Sequence, residues 1–160
     1  MLLKTARLAN LILAGVLTGN EFGSRVIAHP ALNDLAAEAH LHAEQALTRR
    51  YGQIMPVLMT ATLASYLPVI ALEPERTAPR SLLTAAGLAC YAAMLAVTLT
   101  RNVPLNHRLL EMTAQNSTAQ NSTADEFHEL RARWDRLHTV RNLLNLSGLT
   151  GTALAALTTK

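Results

Sequence analysis

The sequence is short of charge, of aromatic rings and of cysteine. Only 16% of its 160 residues are charged and 50% are hydrophobic, against a charged share of about 25% in ordinary soluble domains. That balance excludes intrinsic disorder, which requires few apolar groups and high net charge. A single cysteine, Cys90, supports neither an intramolecular disulfide framework nor a Cys-based zinc site. Two Phe, one Trp and three Tyr are too few for the aromatic platforms on which single-stranded nucleic acids stack. The net charge of +3 comes from 14 Lys and Arg spread along the chain, so no nucleic-acid partner is expected. Also missing are a glycine-rich phosphate loop, a nucleophile elbow, an HExxH helix and a Cys-x-x-Cys pair. Nucleotide-driven chemistry has no motif to rest on.

The charges that exist leave four gaps. There are 13 uncharged residues between Arg7 and Glu21, 22 between Arg50 and Glu73, 20 between Arg80 and Arg101, and 18 between Arg141 and Lys160. A helix crossing a bilayer needs about 20 mostly apolar residues, which the second and third gaps supply outright. The first reaches that length only by running through Glu21 and Arg25 to about Ala28. The last is diluted by Asn142, Asn145, Ser147 and several threonines. Two strong spans offer the weaker ones a surface on which to satisfy their polar groups. The expectation is therefore an all-α integral membrane four-helix bundle, one domain over residues 1–160, with spans at about 8–28, 54–72, 81–100 and 139–158. Lys4 and Arg7 precede an apolar run as in a signal peptide, but no small-residue cleavage site follows, and the segment reads as a retained helix. In a bacterium the expected location is the cell membrane. The arginine-rich connections would lie in the cytoplasm under the positive-inside rule, although arginines serving a site would distort that count, so orientation stays open.

Two connections are substantial. The first carries Pro30, then Asn33 as a helix N-cap, then Asp34 and Glu38, a helix-start pattern that predicts an extra amphipathic helix over about 33–50. The second holds a polar, low-complexity loop over about 112–124 with a near-exact duplication, Ala114-Gln115-Asn116-Ser117-Thr118 and Ala119-Gln120-Asn121-Ser122-Thr123. It reads as a mobile linker, although each copy contains an Asn-Ser-Thr glycosylation sequon. A helical pattern resumes over 125–145 and runs into the fourth span. Pro56, Pro68 and Pro104 are candidate kinks or helix ends.

At about 100° per residue, polar residues gather on single faces. Trp134, His138, Arg141, Asn145, Gly148 and Thr152 form one stripe. Thr84, Gly87, Tyr91, Met94, Thr98 and Asn102 form another, and Asn10, Glu21, Ser24 and Arg25 lie broadly together. The second span has no such stripe and reads as a packing element. In the connecting helix, His40, Glu44, Leu47 and Tyr51 share a face. Ionisable groups inside a membrane face a bundle interior and find partners there, so Glu21, Arg25, His138 and Arg141 indicate a polar pocket close to the membrane surface. In the plainer reading Glu21 pairs with Arg25 or Arg141 and the polar groups lock helices together. In the sharper one Glu21, His40, Glu44 and His138 form a His and carboxylate set for iron, copper or zinc. His29, His42 and His128 match no polar face and are expected to be solvent-facing or interfacial.

Asn102-Val103-Pro104-Leu105-Asn106 and Arg133-Trp134-Asp135-Arg136-Leu137-His138-Thr139-Val140-Arg141 resemble the anthrone oxygenase-like family of small four-helix membrane proteins. Ala14-Gly15-Val16-Leu17-Thr18-Gly19 is similar to the small-residue first helix of that family. The resemblance implies oxidation of an anthrone-like phenolic substrate to a quinone by molecular oxygen. It implies Asn102 and Asn106 as pocket amides, Trp134 as an aromatic wall, and His138 with Arg141 for proton abstraction and anion stabilisation. Glu21, His40 and Glu44 go beyond the family pattern, which keeps a copper or iron cofactor in play beside a cofactor-free mechanism. The expected partners are a small apolar or aromatic substrate, the lipid bilayer, and a second copy docking through Gly15 and Gly19. The site is expected between the first, third and fourth helices, with the His40 helix as a lid. The alternative function is a non-catalytic membrane accessory or small-molecule-binding protein whose polar stripes are structural.

Overall fold

A computed structural model describes residues 1–112 and 120–158, with the side chains of 120–124 left aside. Helices account for nearly all of it, and among the described residues there is no strand. They join into four rods. The first comprises α1 (Leu2–Gly23), a π-helical turn (Ser24–Ala28) and α2 (His29–Leu32). The second is α3 (Ala37–Leu72). The third comprises α4 (Pro79–Val97), a second π-turn (Thr98–Asn102) and α5 (Val103–Glu111), and the fourth is α6 (Gln120–Leu157).

The first three rods are long and apolar enough to cross a membrane. Only between 22% and 28% of their most apolar stretches is buried in the protein. The remainder faces outward, with Ile12, Val16, Val57, Leu67, Leu82 and Leu99 all exposed. Apolar residues turned away from the core are the pattern of a bundle solvated by lipid.

Several expected boundaries shift. The predicted amphipathic helix at 33–50 is not a separate element, because residues from Ala37 onward continue directly into the second span as one 36-residue helix. Asn33 does not cap it; residues 33–36 form a turn, and Ala36 is the N-cap without a side-chain hydrogen bond. The lid assigned to the His40 segment is thus the rigid extension of α3. Pro56 and Pro68 lie inside α3 without ending it, and Pro104 sits in the first turn of α5, directly after the π-turn, without ending the rod. Of the duplicated segment, 114–119 lies outside the described residues, including the sequon at Asn116. Residues 120–123 belong to α6, so the polar loop is shorter than its composition implies. The helical reading of 125–145 holds, and that helix runs unbroken to Leu157.

The rods alternate in direction, and α4 packs most extensively on α6 while α1 packs on both α3 and α6. Small residues set the α4–α6 approach: a Cβ on Gly148 would lie 2.8 Å from Tyr91 Cε2, and one on Gly87 would lie 3.1 Å from the Gly148 carbonyl oxygen. Ala14, Leu17, Met55, Met59, Tyr66, Tyr91 and Met94 form the central core. A second cluster, Leu41, Leu105, Leu109, Phe127 and Leu130, caps one end.

Polar bonds cross the bundle as well as apolar contacts. The Tyr91 hydroxyl donates to the Ala14 carbonyl (3.1 Å) and bonds Thr18 (2.7 Å), and Asn10 donates to Ser65 (2.8 Å). The second span therefore takes part in the polar stitching through Thr62, Ser65 and Tyr66, contrary to its reading as pure packing. At one end of the bundle Glu73 accepts from Arg7 and from Arg80 Nε (2.9 Å), fastening the start of α1 to the α3–α4 turn. Glu21, Glu44 and the first half of α6 occupy the opposite end.

Candidate active site

At that opposite end, all four rods enclose a cavity of about 290 Å³. Asn20, Glu21 and Ser24 face it from the first rod, as does His29. The second rod supplies Thr48, Tyr51, Met55 and Met59, the third Thr98, Leu99, Val103 and Asn106, and the fourth Trp134, His138 and Arg141. One side of the cavity is thus largely apolar and the other carries the ionisable groups. The second rod forms a full wall, so the site is not confined to the first, third and fourth helices.

The ionisable groups fall into two matching sets. In the first, His138 Nε2 lies 3.1 Å from Glu21 Oε2, and Arg141 donates to Glu21 Oε1. In the second, His29 Nδ1 lies 2.8 Å from Glu44 Oε1, and Arg131 Nη1 donates to Glu44 Oε2 (3.3 Å). All six side chains are buried; Glu44 is 1% exposed and His138 2%. The sets meet at Trp134, whose ring centroid is 4.4 Å from that of His138 and 4.7 Å from that of His29, and the two imidazoles are 5.7 Å apart. The Arg131 guanidinium lies over the Trp134 ring at 4.6 Å, a cation–π contact. Trp134 Nε1 donates to Asn106 Oδ1 (2.9 Å), which fixes the indole.

An ionised carboxylate only accepts hydrogen bonds. Glu21 therefore holds the His138 proton on Nε2, and Glu44 holds the His29 proton on Nδ1. The other nitrogens, His138 Nδ1 and His29 Nε2, are buried and have no hydrogen-bond partner. Each imidazole thus has one ring nitrogen held by a carboxylate and the other without a partner, an arrangement shared with other acid–base pairs.

The two π-turns explain how these residues come together. His29 follows Glu21 by eight positions, and at 100° each that would leave them about 80° apart around a regular helix. A π-turn absorbs one residue, so the pair behaves as if seven positions apart and the offset falls to about 20°. The second π-turn does the same for Thr98 and Asn106, also eight residues apart.

Five of the expected site residues, Glu21, Asn106, Trp134, His138 and Arg141, line the cavity. Asn102 is fully buried beside it with both amide atoms unpartnered. His40 and Glu44 stand behind the wall, with His40 Nε2 3.5 Å from Glu44 Oε1 and its ring edge-on to Phe127. The proposed metal set of Glu21, His40, Glu44 and His138 thus divides between the two clusters. Among the described residues no group of three or more His, Cys, Asp or Glu is placed to hold a metal ion. Both oxygens of each glutamate are already engaged, one of them by arginine, so this donor set does not fit a single metal centre and no step below runs through one. Glu21 pairs with Arg141, while Arg25 donates to Thr139 Oγ1 (3.2 Å). His42 and His128 are exposed as expected. His29 is the correction: it is 5% exposed and belongs to the site, together with Arg131.

A family model described as anthrone oxygenase matches residues 44–151, about two thirds of the chain. The chain belongs to the anthrone oxygenase family. No curated protein and no solved structure matches it. The anthrone oxygenase match takes in Glu44, Asn106, Trp134, His138 and Arg141, whereas Glu21 and His29 precede it. Each of the two carboxylate–imidazole pairs thus joins one residue inside the matched region to one outside it.

Proposed function

We propose that the protein is a membrane-embedded oxygenase that oxidises a small apolar phenolic molecule of the anthrone type with molecular oxygen. The observation that carries this reading is the free Nδ1 of His138, held on the wall of a largely apolar cavity by Glu21. The doubly benzylic CH₂ of an anthrone lies across the central ring from the carbonyl and is acidic because its carbanion is conjugated with that carbonyl through the flanking rings, as a vinylogous enolate. His138 Nδ1 takes that proton, and the imidazolium that forms is stabilised by the Glu21 carboxylate. Arg141, whose Nε is unpartnered, offers positive charge to the enolate oxygen. Trp134 provides a flat wall for the fused rings, and Asn106 keeps the indole in place. The electron-rich enolate then reacts with O₂.

The cavity is of the size at the lower end of small-molecule sites, about 300 Å³ and upward, which suits one fused-ring molecule. In this reading the four rods cross the bilayer together, the second half of α6 being the fourth crossing, and the substrate enters from the lipid past exposed side chains such as Leu99. The alternative, a non-catalytic binding or accessory protein, makes the opposite prediction for His138.

The test is oxygen uptake and quinone formation by detergent-purified protein supplied with anthrone. Wild type is expected to turn over, and His138→Ala to lose about 10²- to 10⁴-fold, the contribution of a positioned general base. A wild type inert towards anthrone and related phenols, or a His138→Ala variant that is merely less heat-stable while turning over at the wild-type rate, would refute the oxygenase reading.

A further inference from the structure

We infer that His29 is a second catalytic base, which carries out the step that converts an oxygenated intermediate into the ketone. The inference rests on the oxygenase reading and adds a division of labour to it. Its basis is structural: His29 lines the cavity, is oriented by Glu44 through Nδ1, and keeps a buried Nε2 with no partner. A histidine whose role is only to bind Glu44 has no need to face the cavity. The π-turn that rotates it there is a helix insertion of the kind found at functional sites.

Turning a CH₂ into a C=O with one O₂ removes two carbon-bound hydrogens. In the first half, the C–H pair becomes the carbanion pair as His138 Nδ1 takes the proton. A C–O bond then forms to O₂, which is reduced by two electrons to a peroxide, and the peroxide takes the proton back from His138. The intermediate is R₂CH–OOH, the sum of substrate and O₂. In the second half a base removes the remaining C–H proton, the C–H electrons form the C=O bond, and the O–O bond breaks. Hydroxide leaves and takes the proton from that base, so the products are R₂C=O and one water. No oxidant besides O₂ and no reductant is needed. The oxygenated carbon has a different hydrogen to give up from the one His138 removed. The 5.7 Å between the two imidazole centroids is within the span of one fused-ring molecule, and His29 Nε2 is the second ring nitrogen left without a partner.

His29→Asn keeps a donor for Glu44 and deletes the Nε2 lone pair. With anthrone and O₂, this variant is expected to consume substrate within about tenfold of wild type while ketone formation falls by about 10²-fold or more. The species with the mass of substrate plus O₂ then accumulates. Ketone formed at the wild-type rate, or loss of both steps in parallel, would overturn the inference. A second measurement does not depend on that variant folding: a diaryl hydroperoxide is supplied directly, without O₂, to wild type and to His138→Asn. Both are expected to accelerate its breakdown to ketone and water. Failure of wild type to accelerate it overturns the role of His29 even where oxygen uptake is normal. Failure of wild type to take up oxygen with anthrone instead refutes the oxygenase reading itself.

Discussion

The buried Glu21–Arg141 pair can be weighed by a double-mutant cycle. Glu21 is 4% exposed and Arg141 6%, so neither charge recovers water if its partner is removed. Breaking such a pair from one side costs about 3–5 kcal/mol because the remaining charge is stranded. Glu21→Gln strands Arg141, which has no second carboxylate partner among the described residues, and should fall in that range. Arg141→Met leaves Glu21 with His138 as a partner (3.1 Å) and should cost nearer 3 kcal/mol. Combining the two substitutions leaves a neutral amide facing a thioether of similar volume, and replacing both members of a buried pair is close to neutral. The double variant should therefore be more stable than either single variant, and with the double variant close to neutral the coupling equals the sum of the two single costs, about 6 kcal/mol or more. Unfolding in mixed micelles with increasing denaturant measures all four corners. If the two costs add to within about 0.5 kcal/mol, the pair is not what joins α1 to α6 and the electrostatic account of the site is wrong. Turnover separates site from scaffold: the double variant is expected to recover the fold but not the activity, because His138 then lacks the carboxylate that orients it.

Two further predictions concern the scaffold. Gly148→Ala places a methyl 2.8 Å from Tyr91 Cε2 and 3.3 Å from Cys90 Cβ; overpacking of about 1–3 kcal/mol should exceed the roughly 1 kcal/mol gained in helix propensity. Gly15→Ala meets nothing within 4 Å and should be neutral or stabilising by thermal denaturation in detergent; the reverse order would refute the α4–α6 seam, and a smaller particle for Gly15→Ala on size exclusion would mark that face as a dimer contact. At the other end of the bundle, burial tends to raise the Glu73 carboxyl, but hydrogen bonds from Arg80, the Glu75 backbone and Arg7, with the Arg7 charge, outweigh it and hold it below the usual carboxylate range. A carboxyl lowered by folding adds stability above its unfolded value of about 4.3 and loses it as pH falls through the folded value. Stability should therefore decline on acidification below about pH 4 in wild type and decline less in Glu73→Gln; equal acid limbs would show that this cluster does not tie α1 to the α3–α4 turn.

Much of the architecture is legible in the sequence because lipid imposes a coarse rule that survives ignorance of packing. A gap of about 20 residues without charge is visible in the string itself, and the stripes on α4 and α6 follow from a single period. Glu21, His138 and Arg141 could be found for a related reason, since an ionisable group on an apolar helix must face inward, and Trp134 shares the stripe of the last two. The junctions were less legible. Asn33-Asp34 reads as a helix start, yet the chain turns there and α3 begins four residues on, since the buried contacts of His40, Leu41 and Glu44 decide where the helix begins rather than the local cap. Similarly, Glu44 and His40 share a face and look like a ligand pair until the structure supplies His29 and Arg131 as the actual partners of Glu44.

His29 was missed for a definite physical reason. Projection at a constant 100° places it off the Glu21 face, and the residue after it is Pro30, which marks a helix start or end in any reading by propensity. Neither cue reveals that the helix continues through a π-turn, since the widened turn is a tertiary choice: Ser24 is buried and Arg25 reaches Thr139 on α6, contacts that exist only once α1 and α6 have met. A usable signal was nonetheless present. Glu21 and His29 stand eight residues apart just as Thr98 and Asn106 do, and in each rod a proline follows within the first turn after the π-segment, Pro30 and Pro104. A proline cannot donate its N–H to the turn before it, so it leaves a carbonyl upstream free, and a wider i to i+5 turn is one way to reuse it. Two prolines on two rods, each two residues past the end of a π-segment, are a pattern that single-helix projection discards and that pairwise comparison of the rods would retain.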